Sequence, residues 1–348
     1  MENAEKKRIA YMDFLKFISC LGVVIFHVAS ETWYSYEYFK IDNLWIIDNT
    51  YKGLLYSTLP VFVMITGANI LDREISIRKI YAKYIPRVLF FLLVWGEIYY
   101  AFQYRVFNLN SIFKCLENIL CGKAYTHLWY LYMLLGLYLI TPVVSIVCRN
   151  ANKSQMQYLM VLLFVFAFVA RYLEAVFPSV VELKDALYLS FPNFLLFYIG
   201  GFYCKKYSIS KSQKIVLYIS TAIILGALII YSNYESLIRN VPVETIGVLH
   251  LGNCLLSFSS FVIAKDMSKI IEDCRFITII NNFINPLNFG IYLIHFIVIK
   301  VLAENGIDGH FINPIFGIPI LGLFVFLFCS LVVFVLSKIP ILKKLIIW

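Results

Sequence analysis

Three histidines, His27, His127 and His295, stand in or beside long apolar runs, where an ionisable side chain is costly. The stretch "DFLKFISCLGVVIFHVAS", residues 13–30, carries Asp13, Lys16 and His27. Lys16 and His27 are 11 residues apart, close to three helical turns, so a helix aligns them on one face about 16 Å apart. Asp13, Cys20 and Val24 fall near the same line. Asp13 and Lys16 are spaced i,i+3 and partly neutralise each other. Glu31 follows His27 at i,i+4, where a carboxylate can orient an imidazole and raise its basicity. Imidazole is the side chain best suited to general-base work near neutral pH. Asp13 and Lys16 also suit a plain interfacial role, with Lys16 snorkelling to the membrane surface. That role does not account for His27.

Glu97, in "FLLVWGEIYY", lies inside a third apolar run, where an unpaired carboxylate costs several kcal/mol or stays protonated. His127 opens the run "HLWYLYMLLGLYLITPV" beside Trp129, and His295 lies within "FGIYLIHFIVI". Singly, His127 reads as interfacial and His295 as a helix–helix hydrogen bond. Together these groups point to a polar central cavity.

The elements that must position them follow from composition. The chain has 348 residues, 61% of them hydrophobic and 15% charged, which implies a polytopic membrane protein. Apolar stretches fall near 11–30, 51–71, 84–104, 127–148, 156–177, 187–204, 214–232, 244–264, 287–303 and 315–336. Each is about the length of a spanning helix. The expected fold is all-α, a bundle of about ten transmembrane helices. The polar segments between are short, so residues 1–348 read as one integral membrane domain without an appended soluble domain. Of the 30 Lys and Arg residues, about 20 fall on the termini and even-numbered connections and about 8 on the others. That asymmetry puts both termini in the cytoplasm. It also accounts for the net charge of +9 without nucleic acid. "EKKRIAYMDFLKF" resembles a signal-peptide start, but Asp13 and Lys16 lie inside the run and no small-residue cleavage site follows. The eight cysteines lack metal-ligand spacing, and no metal is expected. Cys115 and Cys121 share one connection and would pair only on an oxidising side.

Two runs are interrupted. "LYLSFPNFLLFYIGGFYC" contains Pro192 and Gly200–Gly201, and "STLPVFVMITGANI" contains Pro60 and Gly67. Such breaks suit either a cavity lining or close small-residue packing.

Four of these segments, in this order, resemble the acyltransferase-3 family of integral membrane acyltransferases. Asp13-Phe14-Leu15-Lys16, ten residues and His27 are similar to its first span. Pro60, Phe62, Met64, Thr66 and Gly67 resemble its second-span motif. His127, Leu128, Trp129 and Tyr130 resemble its His-Leu-Trp-aromatic segment, and Tyr292 with His295 its late Tyr-x-x-His. The resemblance runs nearly end to end and is closest in look to stand-alone surface-polysaccharide O-acetyltransferases of the enterobacterial common-antigen type. Two departures stand out. Lys16 replaces the family's arginine, keeping charge but losing the planar fork suited to phosphate. The basic stretch after the second span offers Lys83 and Arg87 at i,i+4, with Pro86 between.

The resemblance implies transfer of an acyl group, usually acetyl, from cytoplasmic acetyl-CoA to a hydroxyl of an envelope glycan, in a bacterial cytoplasmic membrane. His27 would act as base or transient acyl carrier, with Glu31 beside it. Asp13, Lys16, Arg73, Arg78, Lys83 and Arg87 would meet the donor. His127, Trp129, Tyr292, His295 and, from its cost in a membrane, Glu97 would line the cavity or acceptor side. The implied partners are the bilayer, acyl-CoA and the glycan. The competing reading is a transporter or flippase of a glycan intermediate, which uses buried charges and broken helices equally well.

Overall fold

The computed structural model describes residues 9–34, 41–169, 190–243 and 250–347. Among these the regular elements are helices, as the apolar periodicity requires. Thirteen helices of ten residues or more are labelled in chain order. These are α1 (Ala10–Trp33), α2 (Asn43–Leu55), α3 (Thr58–Ile70), α4 (Ile85–Tyr104), α5 (Leu109–Leu120), α6 (Trp129–Asn150) and α7 (Lys153–Phe164). They continue with α8 (Ser190–Lys206), α9 (Lys211–Arg239), α10 (Leu251–Asp266), α11 (Arg275–Ile284), α12 (Asn288–Glu304) and α13 (Pro314–Ser337).

Seven helical stretches of the described residues are long and apolar enough to cross a membrane, rather than the ten expected. The chain is a multi-pass, all-α membrane protein. The remaining three expected runs, 156–177, 187–204 and 244–264, each lie partly outside the described residues. Their described helices, α7, α8 and α10, are correspondingly short. The second span starts earlier than hydropathy suggests, at Asn43 rather than residue 51, because the Asp42 carboxylate accepts the backbone N–H groups of Leu44 and Trp45. A carboxylate N-cap of this kind is worth about 1 kcal/mol.

Pro60 explains the break in that span. It lacks an N–H, and its ring opposes the carbonyl four residues back, so the helix interrupts at Tyr56–Ser57. Side chains satisfy the freed carbonyls. Thr58 donates to Leu55 at 2.7 Å and Ser57 to Leu54 at 3.5 Å. Pro86 acts similarly on the next span. Residues Ile80–Tyr84 form a π-helical turn in which the Ile85 N–H reaches the Ile80 carbonyl, widening the turn that leads to Arg87.

The chain forms two compact units. The first holds residues 1–65, 208–338 and 347–348, and the second 66–207 and 339–346. In the first, α1 is the hub, packed by α2, α10, α11, α12 and α13. Glycines allow the closest approaches. A Cβ at Gly22 would fall 2.5 Å from Thr58 Cγ2, and one at Gly322 would fall 2.6 Å from Ile25 Cγ1. In the second unit, α4 packs on α5 and α6, and α8 on α6 and α7. Here Gly67 has a packing reason, since a Cβ would lie 1.8 Å from the Tyr198 carbonyl oxygen. Pro192 belongs to α8, whose described core begins with Asn193.

Cys115 and Cys121 are free thiols, which corrects the pairing considered from sequence. Cys115 is buried within α5 and faces α4, whereas Cys121 is exposed where α5 ends. Six residues apart on a helix is about 600°, which points them to different sides.

Candidate active site

The first unit assembles an imidazole pair. His27, on the hub helix α1, and His295, on α12, have ring centroids 5.1 Å apart at 42°. His295 is fully buried, and its Nδ1 lies 3.1 Å from the Ile291 carbonyl one turn back. A carbonyl can only accept, so Nδ1 carries a proton. Phe296 and Phe26 each stand edge-on to His27 at 5.1 Å. Tyr292 packs 6.3 Å from His295. Two residues 268 apart in sequence thus bring their rings together among aromatic neighbours.

Ion pairs surround it. At the N-terminal end of α1, Lys16 Nζ lies 2.9 Å from the Asp13 carboxylate, the pairing that their spacing predicts. One turn beyond His27, the Glu31 carboxylate holds Lys300 of α12 at 2.7 Å. That bridge ties α1 to α12 about one turn beyond the histidine pair. Glu31 therefore pairs across helices, a role its i,i+4 spacing from His27 does not reveal.

Three residues of this region were not singled out from sequence: Asp48, Lys52 and His310. Asp48 and Lys52 occupy adjacent turns of α2 and are 1% and 2% exposed. His310, in the connection before α13, reaches both Asp48 oxygens at 2.9 and 3.0 Å. This hydrogen bond to Asp48 raises the His310 pKa above the usual imidazole value against the opposing effect of burial. Gly317 lets the loop sit this close, because a Cβ there would lie 2.3 Å from the Gly309 carbonyl oxygen. The sequence signal was available: a lysine at the head of an apolar run is as costly as Lys16. The partner of Asp48, 262 residues away, was not.

The second unit holds the other expected residues. Arg73, Arg78, Lys79 and Lys83 are exposed, while Arg87 is half-buried and interacts electrostatically with Tyr138. Around it lies a nest of phenols. Tyr84 and Tyr138 have centroids 5.0 Å apart, Tyr198 shares a 2.9 Å hydrogen bond with Thr141, and Tyr130 hydrogen-bonds Thr66. The same segment bears Gly67, so the "MITG" stretch supplies both a hydroxyl and a close backbone contact. Trp129 packs against Phe194 at 5.7 Å. His127 is buried, edge-on to Tyr99 at 4.7 Å. Glu97 accepts from Ser111 of α5 at 3.3 Å and also hydrogen-bonds Cys115. It ties α4 to α5.

Chemically, the first unit buries two imidazoles among aromatic rings, and the second presents exposed cations beside buried hydroxyls. A family model described as an acyltransferase domain matches residues 9–337. No curated protein and no solved structure matches the chain. The histidine pair, the basic connection and this nearly full-length match agree, and the chain belongs to the acyltransferase-3 family of membrane acyltransferases.

Proposed function

We propose that the protein moves an acetyl group from cytoplasmic acetyl-CoA to a hydroxyl of a cell-surface polysaccharide or other envelope glycan, in a bacterial cytoplasmic membrane with both termini inside. The observation that carries this reading is the His27–His295 pair on the hub helix and α12. It offers a base for an alcohol where water is scarce. His27 removes the proton from the acceptor hydroxyl, and the oxygen attacks the thioester carbonyl. The tetrahedral intermediate then expels the thiolate, which takes the proton from the imidazolium. His295, fixed through Nδ1, positions His27.

On the donor side, CoA is a phosphate-rich polyanion. The exposed Arg73, Arg78 and Lys83, with half-buried Arg87 behind them, suit its phosphates. Lys16, paired with Asp13, provides a further cation on the His27 face of α1. Glycan mass spectrometry on cells with and without the protein tests the acceptor class. Loss of a 42 Da acetyl increment, about the mass that one acetylation adds, is the expected result. Glycan reaching the surface only with the protein, yet unmodified, would favour translocation instead.

A further inference from the structure

The Asp48–His310 pair and the turn that carries the histidine form a polar cluster that the chemistry above does not use. Asp48 is buried in α2, and besides both contacts to His310 Nε2 it takes a hydrogen bond from the Thr32 hydroxyl of α1. A carboxylate accepts, so Nε2 carries the proton and the ring is fixed in one orientation. The His310 side chain is 29% exposed, and its Nδ1 has no partner among the described residues. Asp308, two residues earlier, accepts the His310 backbone N–H through Oδ1 at 2.8 Å. That bond closes the turn, and the second Asp308 oxygen is likewise without a partner among the described residues.

Packing places this turn beside the His27 helix. Between the two polar side chains, a Cβ at Gly309 would fall 3.6 Å from both Thr32 Oγ1 and Val28 Cγ1, and Val28 is the residue after His27. The connection is pinned further along as well. The Tyr51 hydroxyl of α2 donates to the Ile315 carbonyl at 2.8 Å, and Asn313 accepts the Ile315 N–H at 3.0 Å. These contacts put the connection between α12 and α13 at the C-terminal end of α1, away from Lys16. With both termini inside, that end faces the outer side, where an envelope glycan arrives.

We propose that this turn is the acceptor subsite, in which His310 Nδ1 and the second Asp308 oxygen hydrogen-bond sugar hydroxyls and present a neighbouring hydroxyl to His27. The inference rests on reading the protein as an O-acetyltransferase with its acceptor outside. Sugar hydroxyls both donate and accept, so they satisfy a carboxylate oxygen and an imidazole nitrogen in either protonation state. Asp48 and Gly309 hold these groups before the glycan binds, which spares the cost of ordering them on association.

Purified protein in detergent is assayed with acetyl-CoA and envelope polysaccharide from cells lacking the protein, de-O-acetylated with mild alkali. Turnover by wild type in this assay establishes acyl transfer itself, so the variants report on the subsite alone. His310→Gln keeps an amide N–H for Asp48 but has nothing in place of Nδ1. Asp308→Asn keeps the oxygen that closes the turn and loses the second acceptor. Each should raise the KM for polysaccharide about fivefold or more, the size of one lost hydrogen bond. The KM for acetyl-CoA, and kcat at saturating polysaccharide, should stay within about twofold of wild type. Four results overturn the subsite while wild-type turnover stands. They are a polysaccharide KM within about twofold of wild type in both variants, a KM for acetyl-CoA that rises in step, a loss confined to kcat, or a fall in turnover matched by a fall in folded protein.

Discussion

The turns of α1 around His27 and the basic connection after α3 treat charge in opposite ways. Around His27, charged groups are paired between elements distant in sequence: Glu31 with Lys300, and Asp48 with His310, with carboxylate side chains 20% and 1% exposed. Around residues 72–83, the cations face water, and the carboxylates that meet Lys205 and Arg149, Asp72 and Glu74, are 54% and 86% exposed. Desolvating an ion costs several kcal/mol, so cross-helix pairs persist where their geometry is fixed. Solvated cations cost little to keep and are free to meet an incoming anion. The first arrangement suits a preorganised reaction site, the second a docking surface for a charged donor.

The comparison can be broken most severely through the packing beneath the docking surface. Gly67→Ala forces a methyl against the Tyr198 carbonyl, with backbone on both sides and no flexible group to yield. We expect a loss of about 3 kcal/mol or more, seen as lost folded yield or a lowered Tm. Unchanged melting would show that α3 and α8 are not this close. Next, Glu31→Gln leaves Lys300 without its anion in a partly exposed setting. A fully buried break costs about 3–5 kcal/mol, and solvent screening brings the expectation here to about 1–2 kcal/mol by thermal unfolding. Arg78→Gln, on the exposed connection, should stay within about 0.5 kcal/mol. Equal effects at the two positions would erase the contrast.

A pH-dependent effect concerns His310. It lies against Asp48, with the Asp308 and Asp42 charges also acting on it, and the folded state raises its pKa. The stability it contributes is therefore fully present below the unfolded value of about 6.5 and fades as pH rises through the higher folded value. The Tm advantage of wild type over His310→Gln should shrink across that interval. An advantage that grows with pH would contradict the assignment.

Much of this was legible in the sequence because an ionisable residue inside an apolar run announces itself. His27, Lys16 and His295 stood out in this way, and the i,i+3 pairing of Asp13 with Lys16 follows from helical geometry alone. Pairings set by tertiary packing were not legible. Glu31 read locally as a partner for His27, yet it bridges to Lys300, 269 residues away. Asp48 and His310 meet across 262 residues, and no periodicity encodes which helices become neighbours. Lys52 escaped attention because it sits at the edge of an apolar run, where a lysine resembles an interfacial anchor. Its burial under Trp33 emerges only once the Asp42 cap extends α2 back to Asn43. The π-turn was half legible: Pro86 marks a break, but not the register shift it leaves.

The central claim is that His27 performs acyl transfer, and one measurement addresses it directly. Purified wild-type protein and His27→Asn, matched for folding by thermal unfolding, are given acetyl-CoA labelled in the acetyl group together with envelope glycan. Incorporation of label into glycan hydroxyls by wild type, with a loss of at least about 10³-fold in the variant, is the predicted result. Label transfer by His27→Asn at the wild-type rate would contradict it.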